Sequence, residues 1–469
     1  MLIIFIRLSP YFEIKNPHPQ DTFPHPDISY AAAILEKDGH NIHLIDTTAK
    51  RYSLKEIIYE IDSNAPDVIF IHTMSPTAKI AIKIAKEIKL KFKNSVFLFG
   101  QHPSVSPETF LFKDSPVDLC IIGEPEITIK EIIQKIDKKD IFSIDGIAYF
   151  DKKIKFTKPR KLIRNLDDLP FPKHELFLNG NYKLSYPINL LRKIKWGFME
   201  TSRGCPYNCI YCSSTLRLSY GKNYRSSSPK KVVDEIKYLI SKGINVVEFM
   251  DDSFTFDKNR ITKICKEIIK RGLNFKFKWT AQTRADLVNK DILKIMKNAG
   301  CSTLRFGVES GSNRILKILK KDLIKERTKM VFDWCKELGI LTVAYFMIGN
   351  PSETEEEIKE TINFCKEIEP DMIQVAFFTP YPGSEFFRQI SHSKKFDFEN
   401  FSHYNEVVYN SSRISKRKLL KLQKDFYFNW FFSPNVFFRW IKREILQFMF
   451  NPIEKIDFWV RSFRFLLYG

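Results

Sequence analysis

A chain of 469 residues that is 44% hydrophobic and 28% charged, with only 17 glycines and 23 prolines, excludes disordered and fibrous classes and leaves room for two or three globular domains. Its net charge of +20, from 75 Lys+Arg against 55 Asp+Glu, would suit an anionic partner such as nucleic acid or lipid head groups. The lysines are spread along the whole chain, however, so a coding bias explains the charge equally well and a nucleic-acid partner is not expected.

The N-terminal stretch MLIIFIRLSP is apolar but short. Arg7 interrupts it and no small-residue cleavage site follows, so it reads as a first β-strand and not a signal peptide. No uninterrupted apolar run approaches the length of a membrane span. The expected location is the cytoplasm, where thiols stay reduced and grouped cysteines suggest a metal site more than disulfides. Strand and helix patterns then alternate. ISYAAAILEKDG is a helix stopped by Gly39, NIHLIDT a strand, SLKEIIYEIDS a helix, DVIFIHT a strand and AKIAIKIAKEIKLKF a helix. SVFLFG and DLCIIG are strands, separated by a short helix over SPETFLF, and EITIKEIIQKI is a helix. Continuous apolar strands separated by amphipathic helices make a doubly wound parallel sheet, which binds ligands at the carboxyl ends of its strands. The relevant turns are HTMSPT, GQHPS and GEPE.

GIAYFDKKIKFT predicts a hairpin around Asp151 and Lys152, and NLDDLPFPKHELF a linker. From about Lys195 a second β/α series begins, with strands GFMETSRG, INVVEFMDD, FKFKWTAQTR, STLRFGVES, ILTVAYFMIG and MIQVAFFTPYPG. Helices follow the first five of them. This fits a partial (β/α)6 barrel with its chemistry on the loops after the strands. The expected boundaries are 1–140 for the first α/β domain, 141–194 for hairpin and linker, 195–390 for the barrel and 391–469 for a basic, aromatic, helical C-terminal region.

The loop after the first barrel strand, TSRGCPYNCIYCSS, carries Cys205, Cys209 and Cys212 in a C-x3-C-x2-C spacing. A four-iron cluster usually takes four thiolates, and a structural zinc site four Cys or His ligands. Only three thiols are grouped here and no histidine lies nearby in sequence. Cys265, Cys335 and Cys365 fall in helix patterns and read as small buried residues. The informative arrangement is a cluster with one iron left open for a small ligand.

This pattern at the end of a first barrel strand resembles the radical S-adenosylmethionine (SAM) superfamily. The resemblance implies that Cys205, Cys209 and Cys212 ligate a 4Fe-4S cluster whose open iron is chelated by SAM. It further implies reductive cleavage of SAM to methionine and a 5'-deoxyadenosyl radical that abstracts hydrogen from substrate. Flanking residues agree: Arg203 and Gly204 precede the first cysteine, Pro206 follows it, and Tyr211 stands before the third. By the same resemblance Tyr211 lies near the adenine, and Asp251 and Asp252 near the SAM amino group. Arg284 stands at the end of the third strand, and Glu309 and Ser310 near ribose and carboxylate. Taken singly, Asp252 would also suit a helix cap and Glu309 a solvated loop.

The order of an α/β sheet followed by this barrel resembles the cobalamin-binding radical SAM family over nearly the full chain, as in members acting on bacteriochlorophyll precursors and hopanoids. GQHPSVSPE and GEPE match that family's turns, which implies that Gly100, His102, Gly123 and Glu124 lie near a corrinoid. Phe99 and Pro125 replace family glycines, and the Asp-x-His-x-x-Gly motif that supplies a cobalt-ligating histidine is missing. His102 also suits a turn residue hydrogen-bonded to backbone, and the domain as a whole also suits a scaffold.

The C-terminal stretch from about Ser411 is basic and dense in Phe and Trp. It reads either as an interfacial surface or lid for an apolar substrate, or as a cap on the open side of the barrel. The resulting expectation is a radical SAM transferase, cobalamin-dependent, methylating an unactivated carbon on a hydrophobic, lipid-like substrate. It would take electrons from a ferredoxin or flavodoxin and touch a membrane peripherally through its C-terminal region. Cyclisation or carbon–carbon coupling without cobalamin, and a non-catalytic iron–sulfur electron-transfer protein, stay open as alternatives. A tRNA methylthiotransferase would carry three cluster cysteines in its first domain, where this chain has only Cys120.

Overall fold

The computed structural model describes the whole chain except residues 10–11, 13–23, 51, 93, 137–139, 179, 181, 183–186, 189–192, 213–220, 392–395, 397, 399–400, 402, 405, 451–455, 457–459 and 461–469. The end of the aromatic C-terminal stretch therefore lies outside the described residues.

Seven strands form the first sheet: β1 Leu2–Arg7, β2 Asn41–Asp46, β3 Val68–His72, β4 Ser95–Phe99, β5 Leu119–Ile121, β6 Ile147–Asp151 and β7 Lys153–Phe156. Their spatial order is β2-β1-β3-β4-β5-β6-β7. The first five are parallel, and the hairpin β6–β7 adds two antiparallel strands. The hairpin turns at Lys152, whose φ is +59°. The apolar runs have a structural reason. Ile4 and Ile6 of β1 pack into one helix-covered core with Ile69, Ile71 and Leu98, while Ile3 and Phe5 pack into the opposite core with Val68, Phe70 and Phe97. A strand buried on both faces cannot alternate apolar with polar residues. The order 2-1-3 places the topological switch point between β1 and β3.

The short helix expected over SPETFLF lies one step earlier, at Gln101–Val105, with a single 3-10 turn at Pro107–Thr109. Gly100, at φ +107°, ends β4 abruptly enough for a helix to start at once, and Ser106 breaks it.

The second series begins with β8 Trp196–Met199. The two-residue strands β9 Ser202–Arg203 and β10 Arg225–Ser226 bracket the cysteine loop as an antiparallel pair. Then come β11 Val246–Phe249, β12 Lys278–Thr283, β13 Cys301–Glu309, β14 Leu341–Ile348 and β15 Met372–Phe377. The six longer strands lie in the order β15-β14-β13-β12-β11-β8, all parallel, as an open partial barrel. Helices at 229–241, 258–270, 290–298, 325–338 and 355–368 cover its outside. Their starts are set by local chemistry: Ser228, Asp257, Asn289 and Thr354 each accept a backbone N–H of the first turn. One core joins these elements, and Cys265, Cys335 and Cys365 sit in it as small apolar residues.

Two long helices lie toward the C-terminus, Lys416–Phe431 and Pro434–Phe450, and the first of them closes the exposed side of β15. Leu419, Leu422 and Phe426 enter the barrel core. Gln423 donates to the Val375 carbonyl at 2.8 Å, the Val375 N–H donates to the Tyr427 hydroxyl at 3.0 Å, and Trp430 donates to the Pro370 carbonyl at 3.0 Å. Covering an edge strand removes its unpaired backbone groups from solvent. Among the described residues no helix is long and apolar enough to cross a membrane.

Candidate active site

The loop TSRGC leaves β8 through a turn that only glycine tolerates. Gly204 has φ +86°, and a Cβ there would stand 2.3 Å from the Asn223 carbonyl oxygen. Farther along, the Ile210 N–H donates to the Leu319 carbonyl at 3.1 Å, and the Phe386 N–H donates to the Ile210 carbonyl at 3.0 Å. The loop is thus anchored at both ends. Its three thiols, Cys205, Cys209 and Cys212, carry no disulfide and line one cavity of about 310 Å³ at the carboxyl ends of the barrel strands. Three convergent thiols with no fourth cysteine in the lining are a donor set that fits a 4Fe-4S cluster with an open iron.

Tyr211, Asp252, Arg284 and Glu309 line the same cavity. Glu309 is held at φ +64°, a left-handed conformation that a non-glycine residue adopts at a cost of about 1–3 kcal/mol. It follows a register shift in β13 opposite β14. Its carboxylate accepts from the Tyr211 hydroxyl at 2.9 Å and from the Lys321 ammonium at 2.8 Å. Burial, then the charge of Glu309, pushes the Tyr211 phenol well above its usual range, so it stays a neutral donor. Arg284 grips Asp286 with two bonds of 2.9 Å, donates to the Lys321 carbonyl at 2.6 Å, and stacks its guanidinium 3.7 Å from the Tyr207 ring centre.

Asp251 and Ser310 do not line the cavity. Asp251 is buried and accepts from the Thr201 hydroxyl at 2.9 Å, the Thr201 N–H at 3.3 Å and the Ser202 hydroxyl, which locks the start of the cysteine loop. Ser310 bonds Thr361 at 3.1 Å and the Ser312 N–H at 3.1 Å behind the site. Asp252 faces the cavity, and the cap of the following helix is Asp257. Sequence reasoning missed Tyr207, Gln282 and Lys321, and missed the far wall of Tyr345, Gln374, Thr379, Tyr381, His403 and Tyr404. Tyr207 sits between the first two cysteines and was findable. Lys321 has no motif and depends on the tertiary path.

A buried ion cluster joins the two sheets behind the cysteine loop. Arg203 donates to Glu200 at 2.6 Å and to Glu126 at 2.5 Å, and lies 3.5 Å from Glu124. Arg225 meets Glu124 at 2.7 Å, and the Ile163 N–H donates to the other Glu124 oxygen at 2.7 Å. Glu124 is therefore committed to this cluster. Burial pushes the Glu200 carboxyl up to about 8 against the pull of Arg203.

At the edge of the first sheet, a Cβ on Gly100 would stand 2.9 Å from both the His72 Nε2 and the Thr73 carbonyl oxygen. Only glycine fits this close packing of the turn after β4 against the end of β3, and its φ of +107° favours glycine as well. Ser104 ties the two turns, donating to the Gly100 carbonyl at 2.8 Å and accepting from the Gly123 N–H at 3.1 Å. His102 is fully buried, with Nδ1 2.9 Å from the Ser75 hydroxyl and Nε2 3.1 Å from the Thr109 hydroxyl. Its partners are hydroxyls, where the sequence suggested backbone. Burial lowers its pKa to about 4.

Comparison with known proteins agrees with this geometry. Residues 199–365 match the radical SAM superfamily, and residues 20–133 match the B12 binding domain. An uncharacterised methyltransferase of Pyrococcus horikoshii is 31% identical over 88% of this chain and 89% of its own. The anaerobic magnesium-protoporphyrin IX monomethyl ester cyclase of Cereibacter sphaeroides is 25% identical over 87% of this chain and 66% of its own. Among solved structures, the radical SAM methyltransferase TsrM of Kitasatospora setae, with cobalamin and an iron–sulfur cluster bound, superposes with a TM-score of 0.67. That match covers 83% of this chain and 74% of TsrM at 16% identity, a likeness of fold.

Proposed function

This chain belongs to the radical SAM superfamily and carries a B12 binding domain, so it is an enzyme of the cobalamin-dependent methyltransferase type, and we propose that it methylates an unactivated carbon of a hydrophobic substrate. Its cofactors are a 4Fe-4S cluster, SAM and cobalamin. When bound, the cluster supplies the electron that breaks a carbon–sulfur bond of SAM, and cobalamin supplies a methyl carrier.

In this reading Cys205, Cys209 and Cys212 hold the cluster. Lys321, Glu309 and Tyr211 bind the polar parts of SAM, with Asp252 and Arg284 beside them. Arg284 orients Tyr207 by stacking and fixes the backbone at Lys321 through its carbonyl. Gly100 and Gly123 let the backbone approach the corrinoid, while His102 and Glu124 hold those turns from behind. The substrate lies against Tyr345, Met347, Phe377 and Tyr404, interspersed with the polar Gln374, Thr379 and His403, and the apolar side chains of that wall support a hydrophobic molecule. Phe428, Phe432 and Phe438 are 63%, 55% and 69% exposed beside basic residues. That surface supports delivery of a lipid-like substrate from a membrane face. A ferredoxin or flavodoxin would donate the electron, its acidic surface suiting a chain of net charge +20.

The observation that carries the reading is three thiols converging with the Tyr211–Glu309–Lys321 group on one cavity. The test is anaerobic reconstitution with iron, sulfide and hydroxocobalamin, followed by SAM and a reductant. We expect 5'-deoxyadenosine, S-adenosylhomocysteine and stoichiometric cobalt. Cys209→Ala should abolish SAM cleavage, and cleavage that survives it would overturn the assignment. Iron without cobalt would overturn the methyl-carrier part alone.

A further inference from the structure

The switch point of the first sheet holds a group of side chains that the reading above does not use. Arg7 ends β1 and His72 ends β3, paired in register. The helix Pro26–Lys37 starts directly above them, with His25 before it and Asp27 in its first turn. We propose that His25, Asp27 and His72 form a binding site for a divalent transition-metal ion, with Zn2+ as the probe, distinct from the cluster thiols.

One ligand atom from each of the three residues lies within 4.8 Å of the other two. His72 Nε2 is 3.4 Å from Asp27 Oδ2. Two ligands each about 2.1 Å from one tetrahedral ion are themselves about 3.4 Å apart, so the spacing is that of a coordination edge. The carboxylate is aimed: Asp27 Oδ1 accepts the Ile28 N–H at 2.9 Å, which leaves Oδ2 turned to the histidine. The His25 and His72 rings lie 3.9 Å apart between centres.

The second observation is the state of His72. It is 1% exposed; among the described residues its Nδ1 has no hydrogen-bond partner and its Nε2 meets only the Asp27 carboxylate, at 3.4 Å. A buried imidazole with one long contact is under-bonded, and a metal ion between Nε2 and the carboxylate would offset that cost. Arg7, a cation nearby, is paired with Asp46 through bonds of 3.1 and 3.0 Å, which reduces its repulsion of an ion at the triad. Two imidazoles and one carboxylate suit zinc or ferrous iron and not the all-oxygen preference of magnesium or calcium. Three ligands leave a fourth position open, and half-buried His25 marks the side from which an ion and a water reach it.

The test uses the full chain with its cluster already filled, so that the thiols are not available to zinc. Zinc is titrated in against a chromophoric chelator while iron is counted in parallel. We expect about one zinc per chain at constant iron, and affinity at least about tenfold weaker in His25→Ala, His72→Gln and Asp27→Asn. His72 and Asp27 are buried, so those variants can fail to fold. His25→Ala is the safer variant, and zinc should raise the melting temperature of the parent chain but not of His25→Ala. A parent chain that retains no zinc, or a His25→Ala chain that binds it equally well, overturns the site. If zinc is not held but the same variants alter the spectrum of bound cobalamin, the histidines serve the corrinoid's cobalt, and the separate ion site is likewise overturned.

Discussion

The two parallel sheets of this chain offer the same kind of edge and use it differently. At the carboxyl edge of the barrel sheet, Glu309, Lys321, Tyr211 and Arg284 bond to one another and still face a cavity of about 310 Å³. At the edge of the first sheet, His102 is closed between two hydroxyls, Arg7 between Asp46 oxygens, and Glu124 between two arginines and a backbone N–H. Position at a strand end nominates a residue for chemistry; what its polar atoms already hold decides whether it is available. Asp252 and Asp251, neighbours in sequence, differ in position: one lines the cavity and the other, buried, anchors Thr201 and Ser202.

The sharpest way to break the comparison is at the joint between the sheets. Arg203→Met would take from buried Glu200 and Glu126 their arginine partner and leave Glu124 with Arg225 and the Ile163 N–H. Removing one partner of a buried ion pair costs about 3–5 kcal/mol, and we expect a loss of that size in urea unfolding. Arg284→Met, whose partner Asp286 is partly solvated, should cost about 1 kcal/mol while weakening SAM binding. Equal losses from the two would mean that the inner cluster is no more structural than the cavity.

Acid should expose the buried histidines next. The His102 pKa is about 4 in the fold against an ordinary 6.5, because burial disfavours its charged form. A depressed folded pKa means that the unfolded chain takes up the proton first, so the contribution is fully present above pH 6.5. It is lost as pH falls from 6.5 to 4, by about 3 kcal/mol in all. His403 in the cavity wall, also held at about 4 by burial, adds a step of similar size. His102→Gln should therefore remove its own share, about 3 kcal/mol, of the acid lability measured by denaturation across that window. A curve left unchanged would place the lability elsewhere.

Gly100→Ala tests the first edge alone. Its φ of +107° and a Cβ 2.9 Å from the Thr73 carbonyl oxygen leave backbone as the obstacle. We expect a loss of about 1–3 kcal/mol. Bound cobalt should fall with iron unchanged, whereas iron falling in step with cobalt would mean that the two edges are not independent.

The parts legible in the sequence share a physical cause. The strands announced themselves because both faces are buried, and the helices because their caps and apolar stripes are local. The thiols did so because a cluster needs them within one short loop. Asp251 and Asp252, Glu309 and Ser310 were located at the right strand ends, but which of each pair faces the cavity depends on the turn each strand makes on leaving the sheet. For Glu309 that turn is a left-handed residue after a register shift. Lys321, His403 and the Arg203 cluster were illegible because their partners are far away in the chain: Glu309 and Tyr211 for Lys321, Tyr381 for His403, and Glu124 and Glu126 for Arg203. The lining residues Tyr381, His403 and Tyr404 come from the stretch that folds back under the helix Lys416–Phe431, where no periodicity marks them.

The smallest effect sharpens the comparison most, because it asks whether the bonded group at the barrel edge is a binding device or only a stabilising one. Tyr211→Phe removes a hydroxyl that donates to Glu309 at 2.9 Å and accepts from Lys321 at 3.3 Å, and leaves the ring in place. The carboxylate and ammonium keep each other, so no buried charge is orphaned and folding stability should change by less than about 1 kcal/mol. If the hydroxyl pre-orients Glu309 for SAM, its loss should weaken SAM binding to the cluster-loaded enzyme about fivefold, equivalent to about 1 kcal/mol, at unchanged iron. Equilibrium binding of SAM separates the outcomes. A fivefold loss with parental stability makes the group a binding device, and unchanged affinity with lowered stability makes the barrel edge the same kind of closed network as the first sheet's.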